Sequence, residues 1–310
     1  MKWKLRNVSR LVTAALAAGI LLAGCSEKKE EEKMAEEKND TMKVLVDTVK
    51  TDEFIMDYCR FGNGEKVLVA IPGLSVQSIM PSAEAIAEAY KEMTDDYTLY
   101  FFDRRKDHPD PYTIEDMAAD TAAAVRELGI EQADFLGASQ GGMIAQEIAI
   151  HDPELVHKLI LGSSSACVGE EQYKTLNEWV ELAKANDALN LYLAFGEAVY
   201  PPEVFERSKE MLTDAARTVT EEELASFVVI AEATKGFDVS DQLATITCPV
   251  LILGSEDDRV LGAEASRKLA EGLKNSSHCE LYMYDGYGHA AYDLAPDYKE
   301  RMLEFLLAEE

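Results

Sequence analysis

The chain has 310 residues and a formal net charge of −28 at pH 7, with 47 % apolar and 8 % aromatic residues. This length and composition are typical of a globular protein with one large domain or two modest ones, not of a disordered chain. A surface as acidic as this repels nucleic acid and anionic lipid headgroups. We therefore expect no nucleic-acid partner and no membrane binding by the protein surface itself.

Residues 1–24 have the pattern of an export signal. Four basic residues precede LVTAALAAGILLAG, an apolar stretch that is too short to span a bilayer comfortably and that ends in small residues. The sequence LAGC at 22–25 resembles the bacterial lipobox, which implies that Cys25 becomes a lipid-modified N-terminus. We therefore predict a lipoprotein signal peptide at 1–24. A cleaved signal with an incidental cysteine and an uncleaved anchor helix are the alternatives.

Residues 25–41 are predicted to be the lipidated cysteine and a charged tether. The segment is dominated by glutamate and lysine and has almost nothing to bury, so it should remain solvated. When extended it would reach roughly 50 Å, enough to hold a domain clear of a membrane surface. Removal of the signal takes the net charge from −28 to −32, so membrane attachment would depend on the lipid at Cys25. The predicted location is the outer side of a cell membrane.

From residue 42 onward, apolar runs of strand length alternate with segments of helical periodicity. The strand-like runs are KVLVDTV, EFIMDYCRF, KVLVAIPG, YTLYFFD, ADFLGAS, KLILGSS, PVLILGS and CELYMYDG. Such alternation predicts an α/β protein with a mostly parallel sheet and helices on both faces. Residues 169–240 interrupt the pattern, because they are helical in periodicity and contain no convincing strand. We predict a helical cap at 169–240 and a core formed by 42–168 and 241–310.

The sequence GASQG, from Gly137 to Gly141, matches the G-x-S-x-G pattern between an apolar strand and an apolar helix. In a nucleophile elbow the chain turns so sharply that residues two before and two after the serine approach closely, which favours glycine at both positions. The turn lifts the serine hydroxyl above the carboxyl ends of the strands. Ser139 is therefore the predicted nucleophile.

A serine hydroxyl needs a base, and the base needs an acid that orients it. Of the five histidines, His289 follows the strand-like CELYMYD and comes directly after the glycines at 286 and 288 in DGYGHAAYD, so it is the predicted base. The acid should follow another strand, and PVLILGSEDD offers Asp257 and Asp258. We predict Asp257, because it lies just past the turn while Asp258 can remain in solvent. The N–H groups of Leu74, in PGLS after a strand, and of Gln140 are the predicted oxyanion donors.

With these motifs the chain resembles the α/β-hydrolase family over residues 43–307. The likeness is carried by IPGLS, GASQGG, HDPELVHKLIL, CPVLILGSEDD and GYGHA, in the family's order of nucleophile, acid and base. The resemblance implies an eight-stranded sheet, a cap after the sixth strand and acyl transfer to water. One departure is the loop after the fourth strand, which reads DRRKDH at 103–108 where the family usually has D-x-R-G-x-G.

The predicted function is that of a membrane-tethered serine hydrolase acting on small acyl substrates, most simply carboxylic esters. An aminopeptidase or C–C hydrolase of the same fold is an alternative, and cap carboxylates that could hold a substrate ammonium are Glu181, Glu197, Glu203 and Glu206. A non-catalytic binding module is a second alternative. No nucleotide loop, no HExxH and no zinc spacing among Cys59, Cys167, Cys248 and Cys279 occur, so we predict no cofactor and no metal. The oligomeric state is left open.

Overall fold

The computed structural model describes residues 42–309. The predicted signal peptide and the predicted tether with Cys25 lie outside the described residues. Between residues 42 and 309, no helix is both long enough and apolar enough to cross a membrane.

One sheet of eight strands organises the molecule. Its spatial order is β1-β2-β4-β3-β5-β6-β7-β8, with antiparallel pairing of β2 to β1 and β4 and parallel pairing elsewhere. The predicted eight-stranded, mostly parallel sheet is thereby confirmed. The strands are β1 Leu45–Lys50, β2 Ile55–Phe61, β3 Lys66–Ile71, β4 Tyr97–Phe102, β5 Ala133–Ala138, β6 Val156–Gly162, β7 Val250–Ser255 and β8 Cys279–Tyr284.

Helices cover both faces of the sheet and fill the connection between β6 and β7. Their bounds are α1 Ala83–Ala89, α2 Ile114–Glu127, α3 Gln140–His151, α4 Glu170–Lys184, α5 Ala188–Val199, α6 Pro202–Ala216, α7 Glu221–Glu232, α8 Ala263–Gly272, α9 Ala291–Leu294 and α10 Tyr298–Leu307. Helices α2, α3 and α8 pack into one hydrophobic core, and α1 and α10 pack into the other.

The continuous apolar runs in the central strands follow from this double covering. In β6, Leu159 and Leu161 pack into the core of α2 and α3, whereas Ile160 between them packs into the core of α1 and α10. All three are fully buried. A strand that is covered on both faces therefore loses the alternation of apolar and polar residues, and reads as a single apolar run.

The chain enters and leaves the inserted helices α4 to α7 at one place beside the sheet. An antiparallel bridge pairs Cys167 with Asp238, and Val168 N donates to Phe237 O at 2.8 Å beside it. The inserted helices thus form a unit with a narrow base. Inside it, the rings of Trp179 and Phe195 lie 4.5 Å apart between centroids.

The four cysteines within residues 42–309 are free thiols. Cys59 is fully buried in β2, and burial raises the pKa of its thiol to about 12. Cys279 at the start of β8 is exposed. Within residues 42–309, no cluster of three or more His, Cys, Asp or Glu side chains could hold a metal ion.

A buried lysine joins the sheet to the last helix. Lys158 in β6 is 4 % exposed, and its Nζ donates to the carbonyl oxygens of Phe305 at 3.2 Å, Leu306 at 3.2 Å and Ala308 at 2.7 Å. The last carbonyls of a helix have no partner within the helix, and a positive charge is favourable there. Lys158 thus holds the end of α10 against the sheet.

We expect Lys158→Met to lower the free energy of unfolding by about 2–4 kcal/mol, because it leaves buried carbonyl oxygens without a charged donor. Chemical denaturation measures this difference. Lys268→Met removes an exposed lysine and serves as the control. An equal effect of the two substitutions would contradict the role given to Lys158.

Candidate active site

Ser139 lies on a strained turn between β5 and α3. Its φ of 52° and ψ of −120° belong to the left-handed half of backbone space, which side chains other than glycine rarely adopt. Neighbouring elements hold the turn in place, since Ser139 N donates to Gly162 O at 2.8 Å and Ser164 Oγ donates to Ser139 O at 2.8 Å. Strain of this kind persists only where the surroundings impose it, and it is often found at functional sites.

Two glycines make the turn possible, because no side chain fits at either position. A Cβ on Gly137 would lie 2.4 Å from the carbonyl oxygen of Gly141, and a Cβ on Gly141 would lie 2.0 Å from the carbonyl oxygen of Ile71. Both contacts are with backbone atoms, which have no room to move aside. The elbow and the end of β3 therefore pack backbone against backbone.

Ser139 and His289 line one small pocket of about 30 Å³. Gly73 and Leu74 after β3 and Gln140 at the start of α3 line the same pocket. The volume corresponds to roughly one water molecule. The cap covers the pocket with Leu176, Trp179, Phe195 and Val199. The structure thus brings together the serine, the histidine and the two residues that the sequence suggests as oxyanion donors.

Asp258, and not Asp257, is the acid that contacts the histidine. The Nδ1 atom of His289 lies 2.9 Å from Oδ2 of Asp258, and both side chains are 4 % exposed. Burial by itself would raise the pKa of Asp258. The neighbouring His289 and the N–H groups of Val260 and Leu261 outweigh burial and hold that pKa below its usual range. The carboxylate therefore stays ionised beside the imidazole.

The prediction of Asp257 as the acid is thus wrong, and the structure gives this residue another place. Asp257 Oδ1 accepts hydrogen bonds from Ser255 Oγ at 2.9 Å and Gly286 N at 3.2 Å, and Oδ2 accepts one from Gly288 N at 3.0 Å. Asp257 therefore binds the backbone of the loop that carries His289. Which of two adjacent aspartates points inward depends on the turn after β7, and the spacing in the sequence leaves that orientation open.

Arg104 links the two segments that carry the candidate oxyanion donors. Its Nη2 atom donates to Pro72 O at 2.9 Å and to Oε1 of Gln140 at 3.1 Å. Burial lowers the pKa of this guanidinium to about 10. The DRRKDH loop departs from the usual pattern of the family, but its sequence alone gives Arg104 no role. The one sequence feature that could have indicated this role is the position of Arg104 in the loop that follows β4.

Polar contacts hold the cap over the pocket. The side-chain amide of Gln140 donates to Ile230 O in α7 at 2.7 Å. Tyr192 Oη in α5 donates to Oε1 of Gln77 at 3.0 Å. Gln140 lines the pocket, and both contacts join the cap to the rest of the protein, so the cap is closed in this structure.

Comparison with known proteins identifies relatives over most of the core and cap. RutD of Rhizobium rhizogenes (strain K84), a protein named for an assumed carbamate hydrolase activity, is 29 % identical over 237 residues, which are 74 % of this chain and 87 % of that protein. The 3-oxoadipate enol-lactonase 2 of Acinetobacter baylyi is 24 % identical over 236 residues, which are 74 % of this chain and 86 % of that protein. Both are hydrolases by name.

The fold and the family follow from two further matches. The crystal structure of MGS-M2, an α/β-hydrolase enzyme from a deep-sea metagenome library of the Medee basin, superposes with a TM-score of 0.76 over 85 % of this chain and 98 % of that chain, at 22 % identity. Residues 108–293, which include Ser139, Asp258 and His289, match the family described as "Serine aminopeptidase, S33". The chain therefore belongs to this family and is a hydrolase with the α/β-hydrolase fold.

Proposed function

We propose that this protein is a serine hydrolase that cleaves carboxylic esters through an acyl-enzyme on Ser139. The observation that carries the proposal is the joint position of Ser139 and His289 in one pocket, with His289 bound to a buried, ionised Asp258. A strained elbow serine, a buried base and an ionised acid are together the groups that acyl transfer requires.

In the first half of the reaction, Nε2 of His289 takes the proton of Ser139 as the serine oxygen attacks the acyl carbonyl. Asp258 accepts the Nδ1–H of His289, which leaves Nε2 free as the base and stabilises the imidazolium that forms. The imidazolium then gives its proton to the departing alcohol. In the second half, water attacks the acyl-enzyme by the same relay in reverse.

The negative oxygen of each tetrahedral intermediate would be held by the N–H groups of Leu74 and Gln140. Gln140 is the first residue of α3, so its N–H lacks a partner within the helix and lies at the positive end of the helix dipole. Arg104 supports both donors, because it binds the carbonyl that precedes Gly73 and the side chain of Gln140. Loss of one such donor typically costs about 100-fold to 1000-fold in rate.

The contacts in the cap favour an ester over a peptide substrate. The four glutamates that could hold a substrate ammonium, Glu181, Glu197, Glu203 and Glu206, are all exposed, and none lines the catalytic pocket. Glu181 pairs with Lys184 and Glu206 with Lys209 on the cap surface. The names of the two relatives, a carbamate hydrolase and an enol-lactonase, both describe attack at an acyl carbonyl. A pocket of about 30 Å³ requires the cap to open before such a substrate enters.

We expect a fluorophosphonate probe to label the protein at Ser139, because its activated oxygen displaces fluoride from phosphorus. Ser139→Ala should abolish labelling and His289→Ala should slow it at least about 100-fold. Gel fluorescence and mass spectrometry of the labelled peptide provide the readout. Ser240→Ala, an exposed serine, is the control. Failure of the folded wild-type protein to react would favour a non-catalytic binding module.

We expect Asp258→Asn to lower kcat for p-nitrophenyl butyrate by about 10,000-fold, since the amide favours the wrong tautomer of His289. Asp257→Asn keeps one acceptor for the loop and should cost no more than about 100-fold. Steady-state kinetics on the pair test the assignment, because the two substitutions are chemically identical and adjacent. A larger loss at Asp257 would restore that residue as the acid.

We further propose that the chain is a lipoprotein anchored through Cys25 and facing away from the cytoplasm. The proposal is supported by the basic, apolar and LAGC segments in that order at 1–25. Without its signal peptide the chain would carry a net charge of −32 and would not itself bind an anionic bilayer, so the lipid would supply the attachment.

With its own N-terminus intact, the protein should sediment with bacterial membranes, and Cys25→Ser should release it from them or prevent its maturation. Immunoblots of membrane and soluble fractions measure the distribution. Cys279→Ser alters an exposed cysteine far along the chain and is the matched control. A wild-type protein that keeps its full length would indicate an uncleaved anchor helix, and a soluble wild-type protein would indicate an incidental cysteine.

A further inference from the structure

A second cavity, of about 130 Å³, adjoins the catalytic pocket. It extends from the loop after β3 toward α1 and α9, on the side of the sheet opposite α2 and α3. Ala138, the residue before the nucleophile, lines it. The two spaces share part of their walls, namely Gly73, Leu74, Phe195, Val199 and Tyr292.

Two oppositely charged side chains, Asp293 and Lys299, line this otherwise apolar and aromatic cavity. Lys299 already has partners, because its Nζ donates to the carbonyl oxygen of Tyr292 and lies 5.4 Å and 5.6 Å from the ring centroids of Tyr90 and Tyr298. The carboxylate of Asp293 makes neither a hydrogen bond nor an ion pair with any residue between 42 and 309. The free group in the cavity is therefore a hydrogen-bond acceptor.

The charges in the cavity favour an uncharged ligand. Burial raises the pKa of Asp293 to about 6 and lowers the pKa of Lys299, and the attraction between the two groups opposes both shifts. A charged ligand would be attracted by one of the two groups and repelled by the other, and it would also lose its own hydration inside the cavity. An uncharged N–H donor can satisfy Asp293 without adding a charge.

The position of the cavity places it on the acyl side of the substrate. The alcohol must leave beside His289, which protonates it, and His289 lines the catalytic pocket but not the second cavity. The residues that border both spaces include Gly73 and Leu74, against which the acyl carbonyl would lie. The volume of about 130 Å³ has room for roughly four water-sized groups, which corresponds to a short chain.

We propose that this cavity binds a short acyl chain ending in an uncharged N–H donor, such as a primary amide, and that Asp293 accepts the hydrogen bond from it. The proposal rests on the ester hydrolase function proposed above. It adds a specificity residue, Asp293, which does not take part in the proton relay.

Two methyl esters of the same shape test the proposal on the full 310-residue chain. Methyl succinamate ends in a primary amide, and methyl 4-methylpentanoate carries two methyl groups in place of the amide oxygen and nitrogen. The wild-type protein should have a higher kcat/KM for the amide ester, measured by acid release in a pH-stat. The result is the ratio of the two kcat/KM values, so a loss of activity that affects both esters equally does not change it.

The decisive variant is Asp293→Leu/Lys299→Met, which replaces both buried charges by apolar groups of similar shape and so leaves neither charge unpaired. It should lower the amide-to-alkyl ratio at least about tenfold, the smallest loss expected for a hydrogen bond to a charged group. Lys299→Met alone keeps the acceptor but removes an attraction that lowers the pKa of Asp293, so the preference should be kept at a pH high enough to ionise Asp293. Glu300→Gln, an exposed acid on α10, is the control and should leave the ratio unchanged.

Several outcomes would overturn the proposal. These are a wild-type ratio of one or less, an unchanged ratio in the folded double variant, or a preference for methyl hydrogen succinate, which would assign recognition to Lys299. Failure of the ester hydrolase function itself is distinguishable, because then neither ester is cleaved and the fluorophosphonate probe does not react.

Discussion

The backbone of Ser139 is the constraint on which the site depends. At φ 52° the serine is held only because Gly162 at the end of β6 and the nearby Ser164 hydrogen-bond to its backbone, and because Gly137 and Gly141 allow backbone to pack against backbone. The same close packing brings the end of β3 to the elbow, so the loop that contains Gly73 and Leu74 lies beside the hydroxyl. One strained residue therefore sets the position of both the candidate nucleophile and its surroundings.

The parallel sheet completes the arrangement. The carboxyl ends of parallel strands meet at one edge, and the loops after β3, β5, β7 and β8 all contribute residues there. The two adjacent aspartates after β7 have different contacts. Asp258 contacts the His289 ring, and Asp257 holds the backbone of the loop that carries this ring. A single short turn thus supplies both the electrostatic partner and the positional support of the base.

Buried charge is concentrated near this edge of the sheet, although the protein as a whole is strongly acidic. Arg104, Asp258, Asp293 and Lys299 are all largely withdrawn from water, and burial disfavours the charge on each of them. Lys158, at the opposite end of β6, has a structural role instead, since it donates hydrogen bonds to the carbonyl oxygens at the end of α10. In the proposed function Asp258 orients the base, Arg104 positions the oxyanion donors and Asp293 sets specificity.

The sequence by itself determined the sheet, the cap position and the nucleophile candidate, because each depends on local patterns. Apolar runs reveal strands that are covered on both faces, helical periodicity without strands reveals the insertion between β6 and β7, and G-x-S-x-G reveals a turn whose glycines are sterically required. Only the tertiary structure decided between Asp257 and Asp258, joined Arg104 to the oxyanion loop, and brought Asp293 and Lys299 into one cavity. The physical reason is that side-chain direction within a turn, and contacts between residues far apart in the chain, depend on how the elements pack together and leave no regular spacing in the sequence.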